Sequence, residues 1–241
     1  MTRDELENIR RRMLFIVPAS ILFMIGDYAM GIEPRESIVV SGLISSGWQT
    51  IADWRITLSN IGGMFGSIFY AIAALAFLEY LKYRLTMMTN KADRIIMRSY
   101  MAGLVLGIMG FMYFHLACGT LIHNYNVLID AAEGNAELAV RMWNRTYNVQ
   151  AFCYWTTFIS LGILVTGGWI IMVLKGLLSL KKGWLLAAPL MVAAIGFLIE
   201  IILSLPFNGI ASGFESFGWT VMFLGGIRFV GKDERYRKER E

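Results

Sequence analysis

Six separated runs of mostly apolar residues, each about 20 or more long, restrict this chain more than any single motif does. A helix needs about 20 residues, rising about 1.5 Å each, to cross a hydrocarbon core of roughly 30 Å. The runs cover approximately residues 13–32, 56–81, 99–122, 149–174, 184–206 and 209–230. They show no period-two alternation, which selects helices over barrel strands as the way to satisfy backbone groups in lipid. The basic residues between the runs set an orientation. Of the 22 lysines and arginines, 18 lie in the N-terminal arm, the second and fourth connections and the C-terminal end, and only Arg35, Arg55, Arg141 and Arg145 lie on the opposite side. Such an alternation predicts an all-α, polytopic membrane helix bundle of six transmembrane helices with both termini in the cytoplasm.

Composition agrees with that reading. The chain is 56% hydrophobic and 17% charged, whereas soluble domains average about 45–50% and about 25%. Too little polar surface remains to cover a soluble fold. No repeat or linker divides residues 1–241, so a single domain in the cell (inner) membrane is expected, with membrane lipids as its immediate partners. The net charge of +4 belongs to the topology signal, and no nucleic-acid partner is implied. Met1 to Arg12 is a charged lead into a retained first helix rather than a cleaved signal. Lys232 to Glu241 reads as a solvated tail near anionic headgroups. Cys118 and Cys153 lie in apolar segments without metal-ligand spacing; they read as buried filler, with a single disulfide between neighbouring helices left open.

Ionisable side chains inside a span are costly and face a partner, a cavity or the bundle interior. Asp27, His115, Glu200 and Glu215 come from four different runs yet fall roughly 7–11 Å below the same, extracytoplasmic boundary. In the cytoplasmic half the only counterpart is Glu79, close to Lys82 and the headgroups. Arg55, Asn60, His123, Asn124, Asn126, Asn148, Gln150, Asn208 and Ser212 surround that level. This convergence predicts a polar cavity in the outer half of the bundle. With about 100° per residue, His115, Ile122 and Asn126 project together while His123 is turned some 80° away, so His115 faces the cavity and His123 its rim. The competing reading is that each acid pairs with Arg55 or a histidine and only holds helices in register.

Glycine pairs at Gly62 and Gly66, Gly103 and Gly107, and Gly209 and Gly213 have the spacing of close helix contacts. In the third connection Leu138, Met142, Trp143 and Tyr147 share one side of an amphipathic stretch, which could cover the cavity or rest on the membrane surface.

Three chemistries fail on the residues present. Trp54-Arg55 and Ser212-Gly213 resemble rhomboid proteases, but the proton-accepting histidine would have to follow the serine, and both histidines precede it. A shared metal between His115 and His123 is opposed by about 12 Å of axial separation, and paired haem ligation lacks histidines on a second helix. No metal or cofactor is therefore expected. Acid/base chemistry on a lipid-like substrate, with Glu200 or Glu215 as acid and His115 as base, stays open, as does proton-coupled transport.

Gly26-Asp27, the stretch from Trp54-Arg55 through Ser59-Asn60-Ile61-Gly62, the histidines of the third run, and Pro206-Phe207 followed by Gly218-Trp219 resemble an uncharacterised bacterial family of six-helix integral membrane proteins, a domain-of-unknown-function family. The resemblance spans nearly the whole chain and implies that family members agree in their polar outer half, but it carries no activity. The expected ligand-lining set is Asp27, Arg55, Asn60, His115, His123, Asn126, Glu200, Asn208, Glu215 and Trp219, receiving an amphiphile or small polar solute for binding or transport. The alternatives are a membrane-embedded enzyme and a structural or assembly protein with no ligand. Catalytic residues are not assigned.

Overall fold

A computed structural model describes the backbone of residues 1–41, 44–203 and 205–238, and their side chains except at 152–154, 156–161 and 234–238. The described chain is almost entirely helical. An amphipathic helix, α1 (Arg3–Met13), opens it, closed at its start by a capping box in which the Thr2 hydroxyl accepts from the Glu5 N–H and the Glu5 carboxylate from the Thr2 N–H. Leu6, Ile9 and Met13 form its buried stripe, against α3 and α8. The charged lead from Met1 to Arg12 thus contains most of a docked helix, Arg3–Met13.

After Leu14 and Phe15 the chain continues as α2 (Ile16–Gly31). Long helices α3 (Asp53–Met87) and α4 (Lys91–Ala131) follow, α4 capped by the Asn90 side chain. At about 1.5 Å per residue α4 reaches about 60 Å, well beyond the thickness of a hydrocarbon core. Among the described residues three helical stretches, Arg3–Gly31, Asp53–Met87 and Lys91–Ala131, are long and apolar enough to cross a membrane.

Helix α5 (Ala136–Ile159) passes through a π-helical stretch, Ser160–Gly167, into α6 (Gly168–Leu174). The next helix begins later than the apolar run that starts at Trp184: Lys182–Ala187 is a 3-10 turn, and α7 is Pro189–Leu203. Proline cannot sit inside a helix without losing a hydrogen bond but suits its first position, so Pro189 sets the start. The final helix, α8 (Ile210–Lys238), carries the C-terminal charges on helical backbone. Residues 239–241 of the expected tail lie outside the described residues.

Helices α2, α3, α4 and α8 build the centre. α2 packs on α3 and α8, α3 on α4, and α7 lies against α8. Two short antiparallel pairings tie the connections at one end: β1 (Glu33–Pro34) with β4 (Phe207–Asn208), and β2 (Val39–Ser41) with β3 (Ile44–Ser45). We call this the hairpin end and the opposite one, where α1 meets α8, the terminus end. Towards the terminus end the core is aromatic. Tyr70, Phe77, Tyr80, Tyr100, Trp169, Phe223 and Phe229 are all buried there, with edge-on pairs such as Tyr70–Trp219 at 5.5 Å and Tyr80–Phe229 at 5.2 Å.

The amphipathic stretch of the third connection does not lie flat as a separate surface helix. It is the first half of α5, folded back on α4, with Trp143 buried, its indole N–H donating to the Leu121 carbonyl at 2.9 Å and its ring beside Trp48 at 5.8 Å and Tyr147 at 5.0 Å. Leu138 and Met142 of the same stretch are exposed.

Candidate functional site

A buried chain of polar side chains links four helices near the hairpin end. His115 of α4 is 1% exposed; its Nδ1 is hydrogen-bonded to the Ser59 hydroxyl of α3 at 3.0 Å, and its Nε2 lies 3.8 Å from Oδ1 of Asp27 on α2. The other oxygen of Asp27 accepts from the Ser216 hydroxyl of α8 at 2.6 Å. Glycines make this possible. A β-carbon at Gly63 would stand 2.5 Å from that of His115, and one at Gly26 would stand 2.9 Å from its ring. The imidazole therefore occupies space that any other residue at those two positions would fill, between α2 and α3. Stacking of Phe23 on the ring, at 5.6 Å between centroids, fixes its plane.

Two chambers adjoin this chain. The deeper, of about 80 Å³, is lined by Asp27, Phe111, Phe114, His115, Ser212, Glu215, Ser216 and Trp219. The wider, of about 240 Å³, is lined by Asp27, Met30, Gly31, Trp48, Phe114, Cys118, Leu121, Ile122 and Ser212. Asp27, Phe114 and Ser212 are common to both, so the chambers are adjacent. Trp48 belongs to the first connection, which thereby walls the wider chamber. Trp219 forms part of the deeper one from within the aromatic core; it is 1% exposed and its indole nitrogen has no hydrogen-bond partner.

The expected set of residues divides into three groups. Asp27, His115, Glu215 and Trp219 come together around the deeper chamber. Arg55, Glu200, Asn126 and Asn208 instead hold backbone. Arg55 donates from Nε to the Ala29 carbonyl at 2.7 Å and from Nη2 to that of Ile32 at 2.5 Å, satisfying carbonyls at the end of α2. Glu200 sits on α7, which packs against α8, and one of its oxygens accepts from the N–H groups of Gly209, Ile210 and Ala211 at 3.0, 2.8 and 3.3 Å. The unpaired donors at the start of a helix attract a carboxylate, and this one caps α8 rather than reaching the chamber. Asn126 donates to the Trp48 carbonyl at 3.0 Å and Asn208 to that of Arg35 at 3.3 Å.

Asn60 and His123 form the third group. With Asp53, Ile56, Thr57, Gly119 and Thr120 they line a separate, open groove of about 330 Å³ between α3 and α4, where His123 Nδ1 and Asp53 Oδ1 are 3.2 Å apart. The single cavity expected from depth alone is thus corrected to a chamber pair and an independent groove. Depth is one coordinate; the direction in which each helix faces supplies the others.

Sequence reasoning named Ser59 only within the stretch that carries the family resemblance and gave no place to Ser216, the hydroxyl at the other end of the chain, or to Phe111 and Phe114. A signal existed on α8, where Ser212, Glu215, Ser216 and Trp219 follow three- and four-residue spacing and so share a face. Ser59, His115 and Asp27 are connected in the order of a nucleophile, base and acid, but Ser59 is fully buried and lines neither chamber. Among the described residues no group of three His, Cys, Asp or Glu side chains is placed to hold a metal ion. Cys118 borders the wider chamber; the side chain of Cys153, and with it the question of a disulfide, lies outside the described residues.

The fold and site thus define a helical protein with several helices apolar enough for a bilayer and a polar chain buried beside a divided chamber. The chain belongs to the family of unknown function DUF6796, whose model matches residues 1–232. No curated protein and no solved structure matches it.

Proposed function

We propose that this chain is a multi-pass protein of the cell (inner) membrane, crossing it six times with both termini cytoplasmic, and that its chambers open in the extracytoplasmic half to bind or transport an amphiphile or small polar solute. One observation carries the functional part. Two mostly apolar chambers share Asp27, Phe114 and Ser212, and the deeper one adds His115, Glu215 and Ser216, so a molecule with a polar head and an apolar body has a place for each. Together the chambers lie near the lower end of the roughly 300–1,000 Å³ usual for small-molecule sites. The orientation rests on the 18-to-4 division of basic residues.

The second reading is a membrane enzyme performing acid/base chemistry on a lipid-like substrate. His115 and Asp27, 3.8 Å apart and both at the chamber wall, favour it. Native mass spectrometry of the purified protein tests the ligand: a lipid or metabolite that leaves on Glu215→Leu substitution supports the site, and a species retained equally by both proteins removes Glu215 from it. Cysteine labelling tests the topology. Positions beside Lys91 and Lys181 react only from the cytoplasm if six spans are present, and labelling from outside would overturn that orientation.

A further inference from the structure

The deeper chamber has a chemical bias that the wider one lacks. Two carboxyl groups, Asp27 and Glu215, line it on adjacent helices, and its remaining polar walls are His115, Ser212 and Ser216. Among the described residues, neither chamber is lined by a lysine or arginine. Elsewhere in the molecule carboxylates meet cations directly: Glu79 meets Arg12 at 2.5 Å, Asp93 meets Lys175 at 2.6 Å and Asp233 meets Arg84 at 3.2 Å. Asp27 has only the imidazole of His115 at 3.8 Å and the Ser216 hydroxyl beside it, and an ionised Glu215 meets no lysine or arginine on the chamber wall; a charge in a dry site without a cation is expensive. A cationic occupant supplies one.

The other walls suit the same occupant. Phe111, Phe114 and Trp219 present three aromatic rings to a space of about 80 Å³, and an ammonium ion is attracted to the faces of such rings. That volume admits a head of a few atoms and leaves any longer chain to the wider chamber, with Met30, Trp48, Leu121 and Ile122 along it. The indole N–H of Trp219, buried and without a partner, adds a separate requirement. A buried donor of this kind is normally satisfied, and an ammonium cannot accept its proton. An oxygen on the same head can, once a shift of the ring brings this sealed N–H to the chamber.

Resting on the binding reading above, we propose that the deeper chamber is the subsite for the head of an amphiphilic amino alcohol, its ammonium between Asp27 and Glu215, its hydroxyl accepting from Trp219, and its alkyl chain in the wider chamber.

Isothermal titration of the full chain in a nonionic detergent tests this with four probes of one tail length: 2-(hexylamino)ethanol, hexylamine, hexan-1-ol and hexanoate. The amino alcohol is expected to bind tightest, with hexan-1-ol and hexanoate weaker by about tenfold or more and hexylamine weaker by a smaller factor. Glu215→Gln, which keeps shape and removes the charge, should weaken both amines about tenfold while leaving hexan-1-ol unchanged; its unliganded melting temperature checks that it folds. Hexan-1-ol or hexanoate binding as tightly as the amino alcohol overturns the cationic assignment and leaves the chamber as a site for some other amphiphile. Hexylamine binding as tightly as the amino alcohol overturns the role given to Trp219. No saturable binding by any of the four overturns the subsite, and failure of native mass spectrometry to find a ligand dependent on Glu215 then separately rejects the site itself.

Discussion

The two ends of the helix bundle handle their charged and polar residues in opposite ways. Towards the terminus end, Tyr80 and Arg84 enter the bundle and meet a partner at once. The Tyr80 hydroxyl donates to Asp233 at 2.7 Å, Arg84 pairs with the same carboxylate at 3.2 Å, and the space between helices is filled by aromatic rings. Towards the hairpin end, Asp27, His115 and Ser216 are linked to one another but border open space, and the carboxyl of Glu215 lines that space without a lysine or arginine on the chamber wall. A filled, paired region supplies rigidity. A region with a chamber and acids that meet no lysine or arginine on its wall gives up packing for the capacity to receive something.

If that division of labour holds, the largest stability effect belongs to the terminus end. Phe77→Ala, at a fully buried ring packed on Phe223 at 5.6 Å, should cost about 3–5 kcal/mol in thermal or denaturant unfolding while leaving probe affinity intact. Equal loss of affinity would erase the distinction. Glu215→Leu should do the reverse, keeping the unliganded melting temperature and removing the stabilisation of about 2.7 kcal/mol that a ligand at about 100 times its Kd confers. Retained stabilisation would move the site elsewhere.

A third substitution probes the boundary between the two functions. Gly63→Ala puts a methyl 2.5 Å from the β-carbon of His115, and displacing the imidazole should cost about 1–3 kcal/mol and weaken ligand binding together. Glu200→Leu separates a capping acid from a chamber acid. It should lower stability by about 0.5–2 kcal/mol through the lost cap of α8, with no change in ligand-dependent shift. The smallest effect is expected from Arg84→Ala, whose partly exposed pair with Asp233 is worth about 0.2–1 kcal/mol, again by thermal unfolding.

How much of this was legible in the order of residues can be seen from particular helices. On α4 the 100° rule separated His115 from His123, and the former is buried at the chamber while the latter is half exposed in a different groove. The rule also set Asn126 beside His115, and that side chain is claimed by the Trp48 carbonyl instead, so the helical period gives a direction and not a neighbour. On α7 the same depth argument that grouped Glu200 with Glu215 misled, because depth says nothing about the neighbour a helix face meets. Glu200 looks at the first turn of α8, whose free N–H groups claim it. Ser59 and Ser216 were left out of the expected lining for a related reason: a serine in an apolar run is unremarkable until the helix beside it is known.

Local sequence therefore determined the helices, their apolar character, the separation of basic from neutral connections and the presence of costly polar groups among apolar ones, since hydrophobicity, helix period and charge act over a few neighbouring residues. Which of those groups meet was decided only by tertiary structure. Contacts among α2, α3, α4 and α8 depend on which faces their glycines allow to approach, and the gap left between them is a property of all four helices that no segment contains by itself.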